Sequence, residues 1–151
     1  MRRLFLLTIL LSMVLLGGCQ ESKGNVFFIM FASTPNLFDN AVYAQGVSVG
    51  EIVESVTAGN GIARLAIVMN PDRQEMMRDN AAFYVDAGRL THATLSGYGN
   101  PLEPGAKLMG FSSGMGMRWF KTKNLMNQAS RAAASRAQAL FDAFEASSKK
   151  Q

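Results

Sequence analysis

Few side chains in this sequence could act as a nucleophile, a general base or a metal ligand, because it contains one cysteine and one histidine. A single cysteine excludes an internal disulfide, and one histidine beside it provides no zinc-binding set. The P-loop, dinucleotide-binding and HExxH motifs are absent from the sequence. His92 has Asp86 six residues before it, but a lone histidine in a predicted strand is usually an ordinary surface or core residue. We therefore expect neither catalysis nor a cofactor.

The cysteine follows a segment with the layout of a secretory signal. Arg2 and Arg3 precede residues 4–16, which are apolar except for Thr8 and Ser12. As a helix this run would be about 20 Å long, short of the ~30 Å hydrocarbon core of a bilayer. The pattern therefore favours a cleaved signal over a permanent transmembrane span.

The end of this segment resembles a bacterial lipobox. Leu16, Gly17 and Gly18 stand directly before Cys19, and in lipoproteins such small residues admit the signal peptidase while the cysteine thiol is acylated. The sequence thus predicts a signal peptide over residues 1–18 and a lipid anchor at Cys19. This places the protein in the cell envelope, facing the periplasm, at either the inner or the outer membrane. In the alternative, the protein is secreted and the thiol stays free.

Cleavage before Cys19 would change the charge and the length of the chain. The formal net charge of +4 includes two arginines in residues 1–18, so 13 basic and 11 acidic residues remain on 133 residues. The remainder has no stripe of Lys and Arg that could follow a phosphate backbone, and we expect no nucleic acid partner. Residues 19–25 form the anchor and a tether that spans about 20 Å at most, which holds the next domain close to its membrane.

The residues after the tether predict a small, mainly β domain over residues 26–111. Residues 26–32 form a continuous apolar run rich in aromatic side chains, which indicates a strand buried on both faces. Further short strand patterns are separated by Gly, Pro and Asn, as is typical of a small barrel or sandwich. These patterns cover residues 41–57, 62–69, 82–86, 90–96 and 106–111, and the polar residues 71–80 predict a turn of helix or an ordered loop.

The C-terminal part has a different composition. Residues 112–122 are rich in Gly, Ser and Met and predict a linker, whereas residues 123–147 contain no Gly or Pro and many alanines and predict an amphipathic helix. The narrow apolar stripe of this helix could pack on the barrel of its own chain or on a helix of another subunit.

Basic and aromatic residues alternate just before the helix. They could lie at a lipid headgroup layer or a partner surface, or Trp119 could fold back on the barrel. The residues are Arg118, Trp119, Phe120, Lys121 and Lys123.

Three motifs in the β region resemble the mammalian cell entry (MCE) domain family. Gly46-Val47-x-Val49-Gly50, followed by Ile52, is similar to the GVxVGxV signature of that family. Gly88 and Leu90 stand in the family's Gly-Leu-Leu-Gly turn, in which Arg89 and Thr91 replace the other two residues. Gly105 ends a Leu-x-x-Gly step before the last strand. In this resemblance Gly46, Val47, Val49, Gly50, Gly88, Leu90 and Gly105 are structural residues of the family motif.

The resemblance implies a compact β-barrel followed here by a C-terminal helix, a homohexameric ring, and binding or transfer of phospholipids between membranes, often beside an ABC transporter. In such rings the loop between the last two strands carries apolar side chains into a central pore, and here the sequence predicts a short loop over residues 97–101. The side chains expected near the pore and the lipid are Tyr98, Leu102, Met126, Leu140 and Phe144.

Two functions of different classes follow. In the first, the protein is a lipid-anchored, phospholipid-binding subunit of an envelope transport system, a homo-oligomer with an ABC transporter permease or ATPase as a possible partner. In the second, it is a structural or adaptor lipoprotein that docks a protein partner without handling lipid.

Overall fold

The computed structural model describes residues 24–95, 97–123 and 125–150, which form seven β-strands, one 3₁₀ helix and two α-helices. The predicted signal peptide and the lipobox residues Leu16, Gly17, Gly18 and Cys19 lie outside the described residues. The strands are β1 (Val26–Phe31), β2 (Ala41–Ala44), β3 (Val47–Thr57), β4 (Ala63–Met69), β5 (Ala81–Asp86), β6 (Arg89–Thr94) and β7 (Lys107–Phe111). The 3₁₀ helix is Pro71–Met76, and the α-helices are α1 (Gly114–Lys123) and α2 (Leu125–Ser148).

The seven strands close into a barrel in the order β1-β4-β3-β2-β6-β5-β7, with β7 returning to β1. The pairs β1–β7, β2–β6 and β5–β7 are parallel and the other four pairs are antiparallel. This confirms the prediction of a mainly β fold, a small barrel followed by a C-terminal helix. Closure gives every strand a paired neighbour on both sides.

The alternation of side chains along the strands builds two hydrophobic cores. Phe27, Ile29 and Phe31 of β1 point into the barrel with at most 2% of their surface exposed, whereas Met30 points outward and is equally buried beneath the helices. Because successive side chains of a strand face opposite sides, an apolar run such as β1 serves both cores. The interior is filled by side chains that include Phe83 and Leu90, both fully buried.

Two of the motif glycines lie in hairpin turns. Gln45 and Gly46 join β2 to β3, and Ala87 and Gly88 join β5 to β6, and all four residues have positive φ. Two consecutive residues with positive φ are the mark of a type I′ turn, whose twist matches that of the paired strands. These glycines therefore serve the backbone geometry of the hairpins.

One end of the barrel, here called the tether end, is where β1 begins and β6 ends. The Gly105 amide donates to the Val26 carbonyl at 2.7 Å, and the Leu95 amide donates to the Asn80 carbonyl at 2.8 Å. The start of β1, the end of β6, the start of β5 and the approach to β7 therefore meet there. Every described strand pair and both described cores lie within residues 24–150.

The predicted linker over residues 112–122 is replaced in the structure by helix α1. Ser113 begins it, because its Oγ accepts from the Gly116 amide at 3.1 Å as a helix N-cap does. Phe120 is 5% exposed and its ring centroid lies 5.1 Å from that of Phe111. Gly114 and Gly116 have poor helix propensity, and the sequence therefore predicted a linker. Burial of Phe120 on the barrel offsets this cost.

Helix α2 packs on the barrel of its own chain, which decides between the two predicted positions of its apolar stripe. Ala129, Ala133 and Ala137 are at most 3% exposed and allow the helix backbone to approach the strands. Near its end, the Ala143 carbonyl accepts from Asn60 Nδ2 at 3.2 Å, so α2 reaches the β3–β4 hairpin at the end of the barrel opposite the tether end.

We predict that Gly50→Val lowers the free energy of unfolding by about 1–3 kcal/mol, the range typical of overpacked sites. A Cβ at Gly50 would lie 2.5 Å from the carbonyl oxygen of Val68 on the neighbouring strand, so the backbones would have to separate. Urea unfolding followed by circular dichroism measures the change. The matched control is Gly46→Asn, since a Cβ there meets nothing within 4 Å and Asn tolerates positive φ. Equal stabilities of the two variants would contradict the prediction.

Candidate functional site

The connection between β6 and β7 is the most distinctive surface feature of the barrel. It runs over residues 95–106 at the tether end, because β6 ends at Thr94 and β7 begins at Lys107. The sequence-based prediction of a short loop over residues 97–101 was therefore wrong in its bounds. Pro101 and Pro104 interrupt strand pairing before β7, since proline has no amide hydrogen to donate to a ladder.

Side chains of the segment 78–80 hold this loop in place. Arg78 Nη1 donates to the Gly99 carbonyl at 2.8 Å, and Asn80 Nδ2 donates to the Gly97 carbonyl at 2.5 Å. Asp79 accepts from the backbone amide of Asn100 at 3.0 Å and from its side-chain amide at 3.1 Å. Three consecutive residues thus each bind the loop, and Asn80 does so from a buried position, 4% exposed.

Backbone hydrogen bonds add to this clamp. The Asp79 amide donates to the Asn100 carbonyl at 3.0 Å, and the Leu102 amide donates to the Met77 carbonyl at 2.9 Å. The loop is therefore fastened on both sides of its tip. The sequence pattern predicted only a turn of helix or an ordered loop over residues 71–80. It gave no sign of the clamp, because the loop residues that the clamp binds lie about twenty positions further along the chain.

Tyr98 lies at the tip of the clamped loop and is fully exposed. The residues on both sides of it, Gly97 and Gly99, are those whose carbonyls the clamp binds. The clamp fixes the backbone on both sides of Tyr98 while its ring stays exposed. A partner that contacts this ring therefore meets a loop that is already ordered, which lowers the entropy cost of binding. The loop is therefore a site at which an apolar or amphipathic ligand could be contacted.

The structure does not bring the other predicted lipid-contact residues to Tyr98. Leu102 is partly buried against the interior core, and Leu140 is partly buried in the outer core between α2 and the barrel. Phe144 is 5% exposed, and the Arg64 guanidinium lies 5.2 Å from its ring centroid and 5.2 Å from that of Phe28. These three side chains stabilise the chain's own fold. Met126 belongs to α2, but its side chain lies outside the described part of the structure.

The remaining motif residues have structural positions. Val49 and Leu90 point into the barrel and are at most 2% exposed, whereas Val47, beside the β2–β3 turn, is 59% exposed. Gly105 has a φ of +85° in the turn before β7, a conformation that suits glycine. Together with the hairpin glycines and Gly50, these residues shape the turns, the interior and the strand packing of the barrel.

Two features of the barrel have residue types found in enzymes but lack the geometry of a catalytic site. Residues 46–50 spell Gly-x-Ser-x-Gly, but Ser48 follows a hairpin turn inside β3, whereas the nucleophile elbow of hydrolases joins a strand to a helix. His92 Nε2 lies 3.2 Å from the Met76 carbonyl and its ring meets Phe83 edge-on at 5.5 Å. Asp86 pairs with Arg89, three positions along the strand from the Phe83–His92 pair.

Metal ligands and membrane spans can be assessed for the described residues. Among them, no three His, Cys, Asp or Glu side chains come together as metal ligands would. Neither helix in this part of the chain combines the length and apolar character that crossing a bilayer requires.

Comparison with known proteins adds no assignment to this geometry. The chain has no match among models of protein families, and none among curated proteins.

We predict that Asp79→Ala loosens the loop and lowers the free energy of unfolding by about 1 kcal/mol, a typical value for lost hydrogen bonds at an accessible site. Hydrogen exchange of the Asn100 amide, which donates to Asp79, should become faster. Asp72→Ala is the matched control, because its carboxylate contacts only the neighbouring Arg73 at the surface, at 3.3 Å, and such pairs contribute little. Unchanged exchange at Asn100 would show that the clamp does not hold the loop.

Burial lowers the pKa of His92 below its ordinary value of 6.5, with the Met76 carbonyl opposing the shift. The unfolded chain therefore takes up a proton at a higher pH than the folded one, and stability is lost as the pH falls below about 6.5. Thermal unfolding between about pH 8 and pH 5 should show this decline. In His92→Gln the decline over this window should be smaller, since the chain has no other histidine. A slope unchanged by the substitution would contradict the prediction.

Proposed function

We propose that this protein is a membrane-anchored, lipid-binding subunit of a bacterial envelope phospholipid transport system, which acts as a homohexameric ring that shelters lipid. The observation that carries the proposal is Tyr98, a fully exposed aromatic side chain on a loop held by three side chains of the barrel. Acylated Cys19 would hold the ring at its membrane on the periplasmic side. An ABC transporter permease or ATPase is the expected partner.

The filled interior of the barrel limits where lipid can bind. Phe27, Phe31 and Phe83 occupy it with at most 2% of their surface exposed, and close-packed interiors do not admit an acyl chain. Lipid must therefore be contacted on the outside of the barrel. The clamped loop is the place where an apolar ring is available for that contact.

A single Tyr98 covers too little of an acyl chain to shelter it from water. Several copies of the loop around one axis would combine their rings, and each buried CH₂ is favourable by about 0.8 kcal/mol. Each strand of the closed barrel already has a neighbour on both sides, so we expect copies to associate mainly through side chains. Val47 and Val53 on β3 are 59% and 51% exposed and provide apolar surface for such a contact.

The proposal is tested with the chain from residue 20 onward, which retains every described contact of the fold. We expect light scattering to show an oligomer, particle images to show a sixfold ring, and organic solvent to extract phospholipid from the purified protein. A monomer without phospholipid would contradict the proposal and favour the adaptor lipoprotein.

We predict that Tyr98→Ser reduces phospholipid affinity about tenfold, the order expected for loss of one buried aromatic contact, and leaves the oligomer unchanged. The matched control is Phe38→Ser, because Phe38 is also an aromatic side chain with 78% exposure but donates its amide to Gly88 at the opposite end of the barrel. Lipid binding is compared by the amount of phospholipid that each variant retains. Equal losses in both variants, or none in Tyr98→Ser, would remove the loop as the lipid contact.

A further inference from the structure

The outward side of helix α1 combines exposed apolar side chains with positive charge. Met115 and Trp119, one helical turn apart, are 81% and 63% exposed. Arg118 and Lys123 are exposed beside them, and α1 contains no acidic residue. These four residues are called the α1 face below.

The exposure of the α1 face is fixed by the packing on the other side of the helix. Phe120 is buried against Phe111, and Met117 packs against the same outer core. Rotation of α1 to cover Trp119 would therefore expose Phe120. Phe120, and not Trp119, therefore packs back on the barrel.

Among the described residues, no carboxylate pairs with the two cations of the α1 face, Arg118 and Lys123. Both ion pairs found among the described residues, Arg64–Glu54 and Arg73–Asp72, lie elsewhere. Lys123 Nζ lies 4.9 Å from the centroid of the Trp119 ring, a cation–π geometry that keeps charge and aromatic surface together. Tryptophan beside lysine and arginine is the composition that settles at the headgroup level of a bilayer.

The C-terminal end of α1 also lies at the tether end of the barrel, where β1 begins. Lys121 Nζ donates to the Thr94 carbonyl at 3.4 Å, which places the end of α1 at the tether end of the barrel. Cys19 precedes Gly24 by five residues, a distance of at most about 18 Å in an extended chain.

We propose that the α1 face binds the surface of an anionic phospholipid bilayer, with Trp119 and Met115 at the headgroup level and Arg118 and Lys123 against lipid phosphates. A second copy of the chain fits this face less well, because a twofold contact would oppose identical clusters of positive charge. The proposal concerns the outer surface of the protein and does not rest on lipid transport or on a ring.

The chain's single tryptophan reports directly on this contact. The chain from residue 20 is used, because it keeps every described contact of the fold and lacks the anchor, so any binding then comes from the protein surface. Added to vesicles of phosphatidylcholine and phosphatidylglycerol in equal parts, it should show a blue shift of Trp119 emission and quenching by brominated acyl chains. Vesicles of phosphatidylcholine alone should give neither, and added salt should reverse the binding.

Charge substitutions give the matched comparison. Arg118→Gln with Lys123→Gln should weaken binding to the anionic vesicles about 25-fold, since each cation near such a surface contributes about fivefold. Lys149→Gln with Lys150→Gln removes the same charge from the far end of α2, where both residues are exposed, and should change binding less than twofold. Circular dichroism confirms that each variant is folded.

Four results would overturn the proposal. They are no emission shift with anionic vesicles, an equal shift with neutral vesicles, equal effects of the two charge pairs, and a shift that grows with protein concentration in the absence of lipid, which would indicate a second copy. If the variants fail to fold, the brominated-lipid quenching of the unsubstituted chain decides alone. Tyr98→Ser separates this proposal from the proposed function, because it should lose retained phospholipid while binding vesicles normally.

Discussion

Both hydrophobic cores depend on β1, because this strand is apolar on its two faces. It pairs with β4 on one side and with β7 on the other, so the beginning of the domain meets its last strand. Bringing such distant segments together costs chain entropy, which burial must offset. Phe27, Ile29 and Phe31 do so inside the barrel, and Met30 does so beneath the helices. A polar outer face on β1 would remove part of the apolar surface on which α2 packs.

A filled barrel directs function to its outside. With the interior closed to ligands, recognition has to use loops and the surfaces of the helices. The loop over residues 95–106 is suited to this, because the segment 78–80 fixes its backbone while Tyr98 stays free. The hydrogen bonds from residues 78–80 therefore connect this projecting loop to the rigid barrel.

The two most informative aromatic side chains differ in their surroundings. Tyr98 stands between glycines on a clamped loop, whereas Trp119 stands beside Arg118 and Lys123 on a helix. The first arrangement suits an apolar chain and the second suits an anionic surface. The clamped loop and the C-terminal end of α1 both lie at the tether end of the barrel, so a short anchor at Cys19 would orient the domain toward the membrane that holds it.

The sequence by itself determined most of the strands and helix α2, because these follow from local alternation and helix propensity. Short strands at regular intervals limited the fold to a small barrel or a sandwich. Only the tertiary structure decided that residues 114–123 are helical, since that depends on Phe120 meeting Phe111. It also decided that Leu140 and Phe144 cover the barrel, and that Asp79 binds Asn100. A sequence pattern marks which face of an element is apolar, but the partner of that face comes from distant residues whose approach depends on closure of the whole barrel.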